Sequence, residues 1–507
     1  MIFLTSLQYI LQYLPTLVVI CLTGAIVYRL YLHPLAHIPG PRLAAATDLY
    51  GFYFNVISGG GGRFFLQIEK LHQKYGPVVR IAPNEIHLSD PENYDRIYHI
   101  GAKYYKCPKF YGCFGLDSCT FCTWDSELHR VRRAALNPRF SRKSVLELEG
   151  VVQSKVQKLC QKVADMLHTN KPVDLHHGFR AISIDVITDY AFDNCYDLLD
   201  KAGFGLEFFS MIDAILPTFW IFYQWPLLQS VAMNIPAWLA KLTNKHIASH
   251  LKLQQDCREQ VMNVRATIDE GKPPTRITIF HQLLRADAAE GHVVPSAEEL
   301  VEEASGVVAA SSETTGNALT FATYNVLANK RIHAKLTEEL KESFPNPSST
   351  LDFVTLEKLP YLNAVIKESL RLSFGIIGRL PRVTPSGDVL NGYIIPPGTT
   401  VGMSSWLMHR NEDAFPEPDK FDPGRWLDPE SAKLLEKYLV PFSRGSRQCI
   451  GIPLAYCEIY VALGTFFRQF ENLEIYNTSP EDLAYVDYFA ATHPFDARKF
   501  HVVLKKS

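Results

Sequence analysis

Cys449 is the residue of this chain best equipped to bind a metal, because it lies in a glycine-containing loop before an apolar helical pattern over 454–463. A cysteine just before or at a helix N-terminus is stabilised as a thiolate by the helix dipole and by unpaired N–H groups. Two residues earlier, Arg447 is available to bind an anion. This combination suits ligation of a haem iron through cysteine sulfur. The alternative is an inert buried thiol, the usual state of a free cysteine.

A carboxylate and a hydroxyl, Glu313 and Thr314, stand side by side in a second apolar segment. Ser296 and Glu299 form a capping-box pattern that predicts the start of a long helix, which we expect to continue to about Leu327. A hydroxyl can hold a small ligand, and a carboxylate can relay protons through water. A capped, Ser/Thr-rich helix without a chemical role is the alternative.

The pattern Phe442-x-x-Gly445-x-Arg447-x-Cys449-x-Gly451 resembles the haem-ligand signature of the cytochrome P450 superfamily. The resemblance implies haem b (iron protoporphyrin IX) as the cofactor, with Cys449 as its axial thiolate ligand and the other four residues around it. Two of these, Gly445 and Gly451, would leave no Cβ where the backbone must approach a flat, bulky group.

The segment around Glu313 also matches a part of this family, the oxygen-activation segment of the long helix. The resemblance implies that Thr314 holds the distal oxygen and that Glu313 relays protons to it. Ser311 stands where the family usually has glycine, which changes the groove beside these two residues.

Three basic side chains are implied as ligands of the haem propionates. His129 and Arg133 are four residues apart and therefore share a helix face. They match a Trp-x-x-x-Arg pattern of the family, with His129 in the tryptophan position. Arg382 is similar to a further propionate ligand of the family. For the basic stretch 129–133, a solvated helix face is the alternative.

A charge triad is implied for Glu368, Arg371 and Arg425. Glu368 and Arg371 are three residues apart, a spacing that alone most often gives a surface ion pair. Their position about eighty residues before Cys449, with Arg425 in between, resembles the family's buried triad, which locks the segment before the cysteine loop. Burial of an incomplete triad would be costly.

The N-terminus predicts a membrane anchor. Residues 1–28 contain no charged side chain, and a helix of about 20 residues spans a bilayer. A cleaved signal peptide would begin with a basic region, whereas here Arg29 and Arg42 follow the apolar run and favour a cytoplasmic location for the rest. We therefore expect an anchor at 1–32, a Pro-rich hinge at 33–45 and a catalytic domain at 46–507.

Composition narrows the class of partner. The 507 residues carry a net charge of -2 without a basic run, which argues against nucleic-acid binding. Ten scattered cysteines suit a reducing compartment. Cys119-x-x-Cys122 lacks a second close pair of zinc ligands, which favours free thiols.

The resemblance implies a mainly α fold with a small β subdomain, the cytochrome P450 fold, preceded by one transmembrane helix. It also implies a haem-thiolate monooxygenase that hydroxylates or epoxidises a small apolar molecule with O2, using electrons from an NADPH-dependent flavin reductase.

The expected location is the endoplasmic reticulum membrane, where the protein would span the bilayer once and its catalytic domain would face the cytosol. The stretches 28–35 and 441–451 most resemble fungal secondary-metabolism enzymes of the trichodiene oxygenase type, which suggests a terpenoid or similar intermediate. A haem-thiolate isomerase or dehydratase and a non-catalytic haem-binding protein are the alternatives, and neither needs the Glu313–Thr314 pair.

Overall fold

The computed structural model describes residues 2–169, 171–271, 274, 276–346 and 349–505. Met1 and Lys506–Ser507, the outer ends of the predicted anchor and catalytic domain, lie outside this set. The α-helices are α1 (Ile2–Val27), α2 (Arg42–Ala46), α3 (Leu49–Phe52), α4 (Phe64–Tyr75), α5 (Glu92–Tyr98), α6 (Pro108–Gly112), α7 (Ser126–Leu136), α8 (Arg142–His168), α9 (Leu175–Phe192), α10 (Leu206–Ile215), α11 (Thr218–Gln224), α12 (Pro226–Met233), α13 (Ala237–Thr243), α14 (Lys245–Asp269), α15 (Ile279–Leu283), α16 (Ala297–Ala328), α17 (Lys330–Ser343), α18 (Phe353–Leu356), α19 (Pro360–Ser373), α20 (Ser405–His409), α21 (Pro429–Leu435) and α22 (Ile452–Gln469).

The strands form small sheets beside this helical mass. They are β1 (Val78–Ala82), β2 (Glu85–Leu88), β3 (Tyr105–Lys106), β4 (Val173–Asp174), β5 (Arg382–Val383), β6 (Asp388–Leu390), β7 (Tyr393–Ile395), β8 (Thr400–Gly402), β9 (Leu473–Tyr476), β10 (Val486–Tyr488), β11 (Ala490–Thr492) and β12 (His501–Leu504). The largest sheet has the order β1-β2-β8-β5-β3, in which only the β2–β8 pairing is parallel. The predicted fold class, mainly α with a small β part, is confirmed.

The long helix α16 is the centre of the core. It begins with the predicted capping box of Ser296 and Glu299 and continues for 32 residues. Helices α9, α14, α19 and α22 pack along it. Every residue of α9 except Asp189 is buried, as expected of a helix that is surrounded by other elements on all sides. Side chains on α16 are therefore held in a rigid, close-packed frame.

The N-terminal helix lies outside this core. The segment Tyr13–Leu32 is long and apolar enough to cross a membrane, and none of it is buried. The following residues up to Pro41 are non-helical, and Leu35 within them is fully buried against the sheet. Arg80 fixes this segment by donating hydrogen bonds to the carbonyl oxygens of Arg29 (2.9 Å) and Leu35 (3.4 Å). The predicted hinge is thus packed onto the body, and its last residues, from Arg42, form α2.

A second apolar stretch, Ala202–Gln224, has the length of a membrane span. It is divided among short helices, including α10 and α11, and 39% of it is buried inside the protein. Both features are those of helices that pack against the protein body.

Candidate active site

Cys449 is held in a tight loop immediately before α22. Its N–H donates to the carbonyl oxygen of Phe442 at 3.0 Å, and the helix begins at Ile452 with Gly451 as its N-cap residue. The N–H of Gly451 donates to the thiol. Burial nevertheless raises the pKa of Cys449, and the Gly451 hydrogen bond and the charge of Arg133 only partly oppose this effect. The loop alone therefore does not produce a stable thiolate, and a bound cation such as iron would be needed to keep the sulfur ionised.

The thiol of Cys449 borders a space inside the protein. Protein atoms surround Cys449, yet the residue keeps a large solvent-accessible surface. On α16, Ala309 and Ala310 are likewise exposed although the residues around them on this central helix are largely buried. The accessible thiol and the accessible alanines of the central helix are each compatible with a bulky group bound within the core.

A group of basic side chains surrounds the same region. Arg382 donates to the Tyr111 hydroxyl at 2.8 Å, and Arg447 donates to the Thr123 carbonyl at 2.6 Å. The two acceptors are uncharged, so neither hydrogen bond neutralises the positive charge of its guanidinium. Burial, together with the charges of Arg447 and Lys106, lowers the pKa of His129 to about 2, so its imidazole is neutral at neutral pH. Buried charges are costly unless they are paired, so this group fits a ligand that carries carboxylates.

Lys106 is a member of this group that sequence reasoning missed. It is 3% exposed, its ammonium group donates to the Phe121 carbonyl, and it lies over the rings of Tyr111 (4.3 Å) and Phe121 (4.0 Å). Burial and the nearby charge of Arg382 hold the pKa of Lys106 well below its ordinary value. Three lysines lie in the aromatic-rich stretch 101–123, and nothing in the sequence distinguishes Lys106 from Lys103 and Lys109.

Arg133 supports the cysteine loop directly. Its guanidinium donates to the carbonyl oxygen of Gln448 at 2.8 Å and to the Asn137 side chain at 3.0 Å. Helix α7 therefore holds the residue that precedes Cys449 while it also presents His129. Phe442, at the start of the loop, lies 5.4 Å from the ring of Tyr456 on α22 and closes the loop on that side.

The protein backbone around position 445 requires glycine there. Its φ is +76°, and a Cβ would lie 2.2 Å from the carbonyl oxygen of Tyr98 and 2.6 Å from the carbonyl carbon of His99. The close approach is therefore to the protein backbone at the end of α5. The role of Gly445 beside the cofactor stays a prediction. At Gly451, a Cβ would meet only the Cys449 sulfur, at 3.8 Å.

Glu368, Arg371 and Arg425 lie together in the structure. Glu368 and Arg371 are fully buried and form a bidentate pair with two N–O distances of 2.8 Å, and Arg425 lies 3.4 Å from Glu368. Glu368 also accepts the N–H of Asp422 and the indole N–H of Trp426, both at 2.9 Å. A single carboxylate thus connects α19 with the segment 422–426.

His409 extends this connection to the cysteine loop and was also missed from the sequence. Its Nδ1 lies 2.7 Å from the Arg371 carbonyl, and its Nε2 accepts the N–H of Val440 at 2.8 Å. Burial lowers the pKa of His409 to about 3, which keeps the ring neutral. Val440 precedes the loop by two residues, so the triad and the cysteine loop are linked through one imidazole.

Glu313 and Thr314 differ in their surroundings. The Thr314 hydroxyl donates to the Ala310 carbonyl at 3.0 Å and stays partly accessible beside the exposed alanines. Glu313 is 6% exposed and forms an ion pair with the guanidinium of Arg180 on α9. Ser311, in the position where the family has glycine, bonds back to the Val307 carbonyl at 3.1 Å and leaves α16 unbroken.

Comparison with known proteins agrees with this geometry. A family model described as Cytochrome P450 matches residues 45–486. The chain is 35% identical to the cytochrome P450 monooxygenase macH of Penicillium terrestre, over 91% of each chain. It is 36% identical to the N-acetyltryptophan 6-hydroxylase ivoC of Emericella nidulans, over 94% of each chain. It is also 36% identical to a conidiogenone synthase of Penicillium rubens, over 91% of this chain and 92% of the relative.

Proposed function

This chain belongs to the cytochrome P450 family of haem-thiolate monooxygenases, and we propose that it inserts one oxygen atom from O2 into a small apolar intermediate of fungal secondary metabolism. The overall change is RH + O2 + 2 H⁺ + 2 e⁻ → ROH + H2O for hydroxylation, or the equivalent epoxidation of a C=C bond. The observation that carries the proposal is the accessible Cys449 thiol, which borders an internal space in the same core as the small residues of α16.

The cofactor that fits is haem b. Cys449 would ligate the iron, and the group Arg382, Arg447, Lys106 and His129 would bind the propionates, with His129 acting as a neutral hydrogen-bond donor. Once bound, the haem supplies O2 activation, for which an axial thiolate increases electron density at the iron. The protein then supplies position, exclusion of water and protons.

Proton supply is the role we assign to α16. The Thr314 hydroxyl faces the accessible side of the helix and would donate a hydrogen bond to an oxygen ligand there. Glu313, one residue earlier, would provide the protons that the balanced reaction consumes. An isomerase or dehydratase, or a non-catalytic haem carrier, would have no need of this pair.

An apolar substrate is supported by the aromatic side chains that line the loop 107–123 and its neighbours. Phe114 lies 4.8 Å from Phe219 and 5.0 Å from Phe489, and Phe121 lies 5.6 Å from Phe489. Rings of this kind bury large apolar area and accept flat or polycyclic ligands. We propose a terpenoid as the substrate, and an aromatic amino-acid derivative is the second candidate because one relative is named an N-acetyltryptophan hydroxylase.

We further propose that the protein is a single-pass protein of the endoplasmic reticulum membrane. The exposed helix Tyr13–Leu32 would form the anchor, and the basic residues after it favour a cytosolic catalytic domain. Electrons would come from a flavin reductase that uses NADPH.

The test begins with the visible spectrum of the reduced protein with and without carbon monoxide, recorded for the native chain and for Cys449→Ser. A strongly red-shifted thiolate-type band that the variant loses supports the proposal. Retention of that band in Cys449→Ser, or an imidazole-type band in folded native protein, would contradict it. With the thiolate established, a panel of terpenes and N-acetyltryptophan, incubated with reductase and NADPH, distinguishes the two substrate classes.

A further inference from the structure

Glu303, near the start of α16, lies on the face of this helix that carries accessible residues. It precedes Val307 by four residues, Ala310 by seven and Thr314 by eleven, which is the spacing of one helix face. Each of these four residues keeps accessible surface, whereas the neighbouring Val308 is fully buried. The side chain of Glu303 therefore lies on the same side of α16 as the Thr314 hydroxyl.

Glu303 borders the internal space. As at Cys449, protein atoms surround the residue and yet it keeps accessible surface. The preceding residue, Glu302, instead lines a groove between α14 and α16. Successive residues of a helix are turned by about 100° around its axis, so the two carboxylates face different sides of α16.

One oxygen of the Glu303 carboxyl group is held by the protein. This atom, Oε2, accepts the Thr120 N–H at 2.6 Å and the Thr120 hydroxyl at 2.9 Å. Among the residues that the structure describes, Oε1 has no hydrogen-bond donor. Burial raises the pKa of Glu303, and the bonds from Thr120 and the charge of Arg132 only partly oppose this effect. An enclosed carboxyl oxygen without a donor is costly, so a donor group that enters the space would be stabilised there.

The loop that donates to Glu303 is packed on α16 and keeps the carboxyl group in one orientation. Glu302 accepts the N–H of Ser118 at 2.6 Å. Gly306 lets Cys119 of the same loop approach, because a Cβ there would lie 3.3 Å from the Cys119 sulfur. With its Oε2 fixed by this loop, Glu303 presents Oε1 as a preorganised acceptor, and binding of a ligand costs little side-chain freedom.

The charges near Glu303 select against an anionic ligand. Arg132 forms an ion pair with Glu299 at 3.0 Å, so its charge is already compensated. The negative charge of Glu302 adds to the effect of burial on the pKa of Glu303. A substrate carboxylate placed beside Oε1 would be repelled, whereas an O–H or N–H group would find an acceptor.

We propose that Glu303 is a specificity-determining residue whose Oε1 accepts a hydrogen bond from a neutral donor, an alcohol O–H or an indole N–H, on the otherwise apolar substrate. Eleven residues of helix separate Glu303 from Thr314, about 16 Å at 1.5 Å per residue. Glu303 therefore acts on the part of the substrate that lies away from Thr314. This inference rests on the proposed monooxygenase function and narrows its substrate class to apolar molecules that carry one such donor group.

The test measures ligand binding to the full-length, haem-loaded protein from the change in its visible absorption. Two pairs of probes represent the two proposed substrate classes: farnesol with its methyl ether, and 3-hexylindole with 1-methyl-3-hexylindole. The second member of each pair lacks the donor. We expect the native protein to bind the donor-bearing member of at least one pair about tenfold more tightly. The pair that shows this preference identifies the donor as O–H or N–H.

Glu303→Gln should reduce the preference to nearly one, because the amide still accepts from Thr120 and replaces the free oxygen by an NH2 group. Glu302→Gln is the matched control, since Glu302 also anchors the loop but lines the groove between α14 and α16. This control should keep the tenfold preference. If Glu303→Gln loses its haem spectrum, Glu303→Asp takes its place, because it withdraws both oxygens by one methylene and keeps the charge.

Three results would each overturn the proposal and leave the monooxygenase function intact: equal affinity within both pairs for the native protein, an unchanged preference in the Glu303 variant, or an equal loss of preference in Glu302→Gln. A native protein that binds neither pair would overturn both the proposed substrate classes and this inference. The carbon monoxide spectrum of each protein distinguishes these results from a failure of the haem-thiolate assignment.

Discussion

At the scale of single residues, Thr314 offers the most direct test of the chemistry. Thr314→Val removes the hydroxyl with little change in shape, so an oxygen ligand would lose a hydrogen bond and its reduction would end more often in hydrogen peroxide. We expect peroxide released per NADPH to rise severalfold, measured with the reductase present. Thr314→Ser keeps the hydroxyl and is the control. Equal peroxide yields from the native protein and Thr314→Val would favour an isomerase or a haem carrier.

Glu458 on α22 leads to a prediction about pH. The Ser183 hydroxyl donates to its carboxyl group at 2.8 Å, and burial raises the pKa of Glu458 to about 8 from an ordinary value of 4.5. The folded protein therefore keeps a proton that the unfolded chain releases between these values, so this residue lowers stability as the pH rises from about 4.5 to about 8. At about 1.4 kcal/mol per pKa unit, the loss has an upper bound of roughly 5 kcal/mol.

Glu458→Gln should remove this loss, since the amide has no proton to release. We expect the variant to gain melting temperature relative to the native protein at pH 8.5 and to show a smaller gain, or none, at pH 5.5. Glu474→Gln, at an exposed position of β9, should show no such difference. A gain that is the same at both pH values would mean that Glu458 is ionised in the folded protein.

At the scale of elements, the carboxylate of Glu368 holds α19 and the segment 422–426 together. Glu368→Ala leaves Arg371 and Arg425 without their shared partner and also removes the acceptor for Trp426. Breaking a buried ion pair of this kind costs about 3–5 kcal/mol. We expect the cysteine loop to lose its support and haem content per protein to fall close to zero. Glu357→Ala, which breaks the exposed pair with Arg142, should retain normal haem. Normal haem content in Glu368→Ala would refute the supporting role.

The same elements show what the sequence can and cannot predict. Periodicity and the capping box located α16 to within a residue or two at each end, because its signals are local. The resemblance to the family implied that Glu368 and Arg425 would meet, although they are far apart in the chain. Lys106 and His409 were missed because their roles depend on tertiary contacts that leave no pattern around them. Gly445 was noticed for the right property, a missing Cβ, but its neighbour is the backbone of His99.

At the scale of the whole molecule, exposed apolar side chains occur on two helices that connect to the N-terminal helix through neighbouring elements. Leu227, Val231 and Leu242, on α12 and α13, are 83%, 63% and 79% exposed. The ring of Phe52 on α3 lies 4.7 Å from Trp225, at the start of α12, and α3 contacts α2, which in turn contacts α1. Apolar surface of this extent marks a contact with a membrane or another protein.

Deletion of residues 1–32 should therefore change the mode of membrane attachment without unfolding the body. Leu35 remains buried in the truncated chain, and Arg80 keeps its hydrogen bonds to Pro83 and Leu35. We expect the full-length protein to resist extraction by alkaline carbonate and the truncated protein to be released by it. If the exposed apolar side chains of α12 and α13 bind the bilayer surface, the truncated protein should still sediment with phospholipid vesicles at neutral pH. Adding Leu227→Asp and Val231→Asp should abolish this residual binding, with the carbon monoxide spectrum as the control for folding. Carbonate resistance of the truncated protein would show that a different segment is the anchor.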